Sequence, residues 1–291
     1  MNKIGKVKEF FIEKLIVICG SLSIIFVILI FIFLAREGLT FFKYESIKDF
    51  IFGRNWYPLS NPARFGVLPL ILGSVMVTLG AMAISIPLGV ACAFYIAEIV
   101  NPKMKDILKT GIELLAAIPS VVIGFVGMVT LVPMVKKIFH LPTGLTALSG
   151  SIMLAFMAMP TIVSIAEDAI TAVPKRYKEA ALALGATHWQ AIYKVILVAA
   201  APGIFAAIML GIGRVIGETM AVMMITGNAA VIPHTLLEPV RTLTATIAAE
   251  MGEAIRGSNH YYALYAVGII LFIITFVINF IADIFLHRIK K

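Results

Sequence analysis

Apolar residues run along this chain in six blocks: Leu15–Leu34, Val67–Ile96, Ile107–Val135, Gly144–Ile170, Leu197–Thr226 and Tyr262–Leu286. A helix needs about 20 predominantly apolar residues to cross about 30 Å of hydrocarbon, and each block is of that order or longer. The pattern predicts an all-α integral membrane protein with six transmembrane helices and both termini on one side. A polar, aromatic-bearing segment with Trp56, Pro58, Asn61 and Pro62 separates the first block from the rest, whereas later blocks are joined by shorter segments. That spacing predicts one peripheral N-terminal helix and a five-helix core.

The core blocks are rich in residues that a lipid-facing helix does not need. Gly73, Ser74, Gly80 and Pro87 fall in the second, Pro119, Ser120, Gly124 and Gly127 in the third, and Pro160 in the fourth. Small residues let helix backbones approach, and Pro is tolerated where protein or a water-filled cavity satisfies the freed carbonyl. In the fifth block Gly203, Ala207 and Gly211 form one small-residue ridge, and Gly213, Gly217 and Ala221 a second beside it. Two thin faces imply two close neighbours, either within the chain or across an interface with a second subunit.

Hydropathy falls between Ala172 and Leu197. A short helical pattern follows Pro174 through Tyr177, Ala180, Ala181 and Leu184, and Gly185 is placed to end it in a left-handed conformation. Thr187 and Gln190 have capping-box spacing, which predicts a second helix from His188 leading into the fifth span. The expected result is a helix-turn-helix knob.

Composition agrees with the membrane reading: 60% of the 291 residues are hydrophobic, 14% are charged and the mean hydropathy is +1.00, too little polar surface for a soluble fold. The net charge of +8 sits in short segments between apolar blocks, with no basic domain able to hold nucleic acid. With the amino terminus inside, the inside segments hold 14 of the 24 Lys and Arg, among them Lys3, Lys6, Lys8, Arg288, Lys290 and Lys291. That asymmetry favours cytoplasmic termini. The first block is about twice a signal-peptide core and lacks a small-x-small cleavage site, so it reads as an uncleaved anchor. Cys19 and Cys92 fall inside spans and read as small apolar fillers.

Arg214 and Glu218 lie within the fifth block, where a central charge costs about 2.5–3.5 kcal/mol. If the helix is continuous, their spacing puts both on one face. They then form either a self-neutralising pair or a functional site. In the functional reading Arg214 offers a bidentate fork to an oxyanion in transit. Glu218 repels an anion unless that anion carries a hydroxyl, as phosphate does near neutral pH and sulfate does not, so it can discriminate between them. No Gly-x4-Gly-Lys-Ser/Thr loop is present, so the chain does not bind ATP by that route. His140, His188, His234, His260 and His287 are scattered without metal-ligand spacing.

Glu179-Ala180-Ala181, three residues, then Gly185, with Leu197 twelve beyond, resembles the EAA loop of bacterial ABC importer permeases. The pattern departs at Val195, where Ile is usual, and at Val198, where Pro is usual. The run from Gly211 through Arg214, Gly217 and Glu218 to Val222 resembles the fifth-span signature of phosphate-importer permeases. Glu113 to Ser120 resembles their third-span motif, and Ile247 to Ala254 their loop before the last span. Thr219-Met220-Ala221-Val222 is more like the PstC type than the PstA type.

The resemblance implies a type I ABC importer permease: residues 1–66 as an N-terminal transmembrane helix and extracytoplasmic loop, and residues 67–291 as the permease domain with its coupling loop at 172–197. It implies a PstA-type permease as heterodimer partner, two PstB-type ATPase subunits, a PstS-type extracytoplasmic phosphate-binding protein and membrane lipids. No cofactor is expected in this chain, ATP-Mg being bound by the ATPase. Arg214 and Glu218 become pathway charges, with Thr219 and Ser120 as weaker candidates whose hydroxyls can equally bond their own helix backbone. Glu179, Ala180, Ala181 and Gly185 become the ATPase-docking residues. Glu113, Glu167 and Asp168, toward the inside ends of spans three and four, are read as solvated or interface groups. The readings set against this one are a permease for sulfate or molybdate, an ion-gradient-driven transporter or channel, and a membrane scaffold.

Overall fold

The computed structural model describes residues 3–289, with side chains over 9–285. The charges of Lys3, Lys6, Lys8, Arg288, Lys290 and Lys291, used above for orientation, lie outside the described side chains. Among the described residues six helices are long and apolar enough to cross a membrane.

Helix α1 (Lys3–Phe41) is apolar on every side between Leu15 and Leu34. Residues such as Ile18, Phe26 and Ile30 are more than half exposed. Among the described residues its packing lies along its outer part, chiefly against α12 (Asn259–Ile289). There Phe31 lies 4.8 Å from Phe272 between ring centroids, Phe33 meets Tyr265 edge-on, and Gly38 faces the Ala266 backbone. This is the peripheral helix.

The following polar segment folds into α2 (Ile47–Phe52) and an antiparallel pair, β1 (Trp56–Tyr57) and β2 (Arg64–Phe65). Three of its aromatic residues, Phe50, Trp56 and Phe65, are anchors. Phe41, Phe50, Trp56 and Phe65 are buried against Leu243 and Leu264, and each such side chain contributes about 1.5–3 kcal/mol where the alternative is water.

The centre is built on α3 (Leu68–Glu98), α6 (Ala147–Thr171) and α9 (Leu197–Gly217). Small residues set their separation: a Cβ on Gly80 would strike Ser151, whose hydroxyl already donates to the Val77 carbonyl across the interface at 3.2 Å. Helix α9 continues inward through a π-helical turn at Ile192–Ile196 into α8 (His188–Ala191), so the fifth span begins at His188, in the knob itself.

Two apolar blocks are not single helices. The third divides into α4 (Pro102–Ala116) and α5 (Ser120–Ile138), broken at Pro119, because Pro disfavours helical conformation at the residue before it. Helix α4 has no fully buried side chain and is amphipathic, so the crossing begins at Ser120 and not Ile107. The fifth stops at Gly217. Glu218 is extended (φ −70°, ψ 133°), and a short helix α10 (Met220–Ile225) follows. The chain then turns through Gly227 and Asn228, both at positive φ, and returns to α11 (Leu243–Glu250). Cys19 and Cys92 are free and exposed on helix surfaces, so neither fills a core.

Candidate functional site

The fold holds two backbone breaks, between α4 and α5 and between α9 and α10, and the candidate pathway residues gather around them. Depth follows from helix register. A Cβ on Gly203 would meet Ala169 and one on Gly211 would meet Ile162 at 2.7 Å, so α9 runs antiparallel to α6. Extending that register places Arg214 level with the middle of Ala147–Thr171. Gly124 touches Ala221 and Gly127 touches both Ile225 and Met153, so α5 runs parallel to α10. Ser120, one turn before Gly124, therefore opens α5 deep within the membrane. Its hydroxyl makes no hydrogen bond among the described residues.

Arg214 is exposed on α9, on the face shared by Gly213, Gly217 and Leu210. Among the described residues it has no ion-pair partner. The expectation of Arg214 and Glu218 on one helical face does not hold, because the helix ends between them, and they do not form an ion pair with each other. One carboxylate oxygen of Glu218 accepts from the Ala221 amide at 3.3 Å, capping α10, and its backbone carbonyl accepts the Thr244 hydroxyl at 2.8 Å. The Thr219 hydroxyl donates to the Gly217 carbonyl at 3.2 Å, the local backbone bond weighed above.

The two small-residue ridges separate. Gly203, Ala207 and Gly211 pack inward on α6. A methyl group added at Gly213 or Gly217 would meet nothing within 4 Å, while Ala221 sits past the break against Gly124. One ridge is internal packing, and the other is open for the length of two glycines.

The knob forms as its local signals predict. Helix α7 (Lys175–Ala183) ends at Leu184, Gly185 has φ +83°, and the Thr187–Gln190 capping box is complete in both directions. Glu179, Ala180 and Gly185 are exposed, Ala181 half-buried, and Leu184 stands 90% exposed at the tip. Lys178 holds α7 to the inner end of α3 through Glu98 at 2.5 Å.

Two carboxylate clusters were not legible as such. Glu167, 1% exposed, accepts Lys105 at 2.6 Å, Lys109 at 2.9 Å and the Thr171 hydroxyl at 2.8 Å, and Lys109 also reaches Asp168 at 2.7 Å. Hydrogen bonds to Asp168 and Glu167 hold the Lys109 ammonium well above the ordinary lysine range. A raised lysine pKa contributes stability that is fully present below the unfolded value and lost only as pH climbs through the folded one. The contribution of Lys109 is therefore constant across neutral pH. At the outer end Glu250 accepts Trp56 Nε1 at 3.0 Å, His260 Nε2 at 2.9 Å and the Arg241 guanidinium. The signals that were available are the i, i+4 lysines opposite Glu167-Asp168, and a lone Trp in an outer loop.

Residues 85–291 match the family described as binding-protein-dependent transport system inner membrane component. The chain is 38% identical over 266 residues to YqgH of Bacillus subtilis, described as a probable ABC transporter permease protein, covering 91% of this chain and 86% of that one. It is 35% identical over 260 residues to the phosphate transport system permease protein PstC of Mesorhizobium japonicum, covering 83% and 79%. Among solved structures it resembles a chain of a bacterial alginate ABC transporter in complex with an alginate-bound periplasmic protein, with a TM-score of 0.65, 18% identity and 95% of each chain covered.

Proposed function

This chain belongs to the binding-protein-dependent transport system inner membrane component family, and on that premise we propose that it is the PstC-type permease subunit of an ATP-driven importer of inorganic phosphate. Its fold is that of type I ABC importer permeases, and it is a multi-pass inner-membrane protein. Members of this family are membrane subunits that work with a separate ATPase and a binding protein. In our reading the partners are a PstA-type permease, two PstB-type ATPases and a PstS-type binding protein, with both termini cytoplasmic. Residues 67–291 are the permease domain. The chain holds no cofactor, ATP-Mg residing on the ATPase.

The observation that supports an oxyanion is Arg214: a guanidinium without a partner among the described residues, at mid-membrane depth, on the open Gly213–Gly217 face. A fixed fork with two free donor edges suits a tetrahedral oxyanion. At the first turn of α5 the Ser120 and Val121 amides have no partner among the described residues, at similar depth and at the end of a helix that favours negative charge. Glu218 keeps acceptor capacity beyond its Ala221 cap, which suits an anion that brings a hydroxyl. The exposed Glu179–Gly185 knob is the docking element for the ATPase. ATP-driven closure moves the knob and rocks the core between outward- and inward-open states.

The test is ATP-dependent uptake of labelled phosphate into proteoliposomes containing this chain, the second permease, the ATPase and the binding protein, challenged with excess sulfate or molybdate. Uptake that needs every component and resists both competitors supports the proposal. Competition by sulfate or molybdate moves the substrate, and uptake driven by an ion gradient without the ATPase overturns the mechanism.

A further inference from the structure

Helix α4 lies between the knob and the mid-membrane breaks, yet apolar packing holds it only weakly. It has no fully buried side chain, and Leu108 and Ile112 are merely half-covered against the inner core. What fixes it is one carboxylate. Lys105 and Lys109, on one face of α4, both reach Glu167 of α6, and the cluster is completed by Asp168 and Thr171. Two ammonium groups face two carboxylates, so the cluster is neutral, and Glu167 is covered by its partners. Only Ala172, Val173 and Pro174 separate the end of α6 from α7, the first helix of the knob. At its other end α4 is joined by Ala117, Ile118 and Pro119 to Ser120, and Gly124 of the same helix rests on Ala221 just past Glu218.

We propose that Glu167 is a positioning residue: it makes α4, and with it the first turn of α5, follow the inner end of α6 and the knob as one body when the ATPase closes. An apolar seam would hold α4 without the desolvation that buried charges incur. Two charge-assisted contacts from α4 converging on Glu167, with a third from Lys109 to Asp168, in contrast fix the register of α4 along α6. Movement of the knob is then delivered to Ser120 and the α5–α10 contact without being lost in a sliding helix. The inference rests on the importer reading for its transport readout only.

Two measurements on the reconstituted complex test it. In a chain with Cys19→Ala and Cys92→Ala, spin labels at Lys103→Cys on α4 and Arg176→Cys on α7 report the distance between the two elements. The expected result is one distribution, unchanged between the nucleotide-free and vanadate-trapped states, that broadens or splits in Glu167→Gln. In parallel, Glu167→Gln raises the ATP hydrolysed per phosphate imported by about fivefold while hydrolysis itself persists, and Glu167→Asp recovers most of the loss. A label distance that changes with nucleotide state in the unmodified cluster, or uptake and hydrolysis that fall in equal proportion in Glu167→Gln, overturns the proposal. If that variant does not reach the membrane, Lys109→Met, at a partly exposed lysine, is read in the same two ways. A complex that hydrolyses ATP but imports no phosphate defeats the substrate assignment alone, and the label distances then decide the role of Glu167.

Discussion

Arg214 and Glu218 stand one helical turn apart in sequence but on different pieces of backbone, and this separation divides their roles. Arg214 has no ion-pair partner among the described residues, so a substitution there is read in transport. Arg214→Lys keeps the charge and loses the planar fork, and the initial rate of phosphate uptake is expected to fall about 10- to 100-fold, the loss of one or two charge-assisted hydrogen bonds. Glu218 also caps α10 through the Ala221 amide. Glu218→Gln retains an oxygen for that cap, so α10 persists while the negative charge is removed; sulfate competition with phosphate uptake is expected to strengthen about tenfold, and unchanged competition sinks the selectivity role. The charges themselves were legible, being two ionisable groups inside an apolar block. Their geometry was not, because counting i, i+4 assumes an unbroken helix. At the break the Glu218 carbonyl accepts from the Thr244 hydroxyl, 26 residues along the chain, a partner that no local pattern names.

At the scale of elements, what was legible is what local chemistry dictates. The knob was readable because a left-handed Gly185 and a Thr187–Gln190 box are signals contained within a few residues. Gly185→Ala meets no neighbour, so its cost is the conformational strain of φ +83°, about 1–2 kcal/mol confined to the turn. Less ATPase is expected to co-purify with the permease while the permease's own thermal midpoint holds; a midpoint that drops by many degrees would place Gly185 in the core of the fold. The small-residue ridges were readable as thin faces but not as to what lies against them. Gly211→Leu drives a side chain into Ile162 and is expected to lower the thermal midpoint of the isolated chain. Gly217→Leu enters open space and is expected to spare the midpoint while impairing assembly with the second permease. Equal midpoint losses in a thermal-shift assay would contradict this division. The third and fifth apolar blocks were misjudged for the same reason: hydropathy averages across a proline or an extended residue that ends a helix.

At the scale of the whole molecule, the ionic contacts of the described residues sit toward the two ends, and the two backbone breaks lie between them. Glu250 ties the outer hairpin through Trp56 to Arg241 and His260, while Glu167 and Glu98 tie α4 and α7 to the inner ends of α6 and α3. Between these ends, the charged side chain at Arg214 finds no partner among the described residues, although a central Arg costs about 2.5–3.5 kcal/mol in a membrane helix. A group retained at such cost with no structural return is expected to trade stability for transport. Arg214→Leu should therefore abolish uptake and raise the thermal midpoint of the isolated chain in detergent, by about 2–4 °C for each kcal/mol recovered. Glu250→Ala should do the reverse to stability, since it strands the Trp56, Arg241 and His260 donors at once. If Arg214→Leu lowers the midpoint as Glu250→Ala does, Arg214 is a strut within the fold and the oxyanion must be met elsewhere. A rise accompanied by loss of uptake places the arginine where its charge serves only what passes by it.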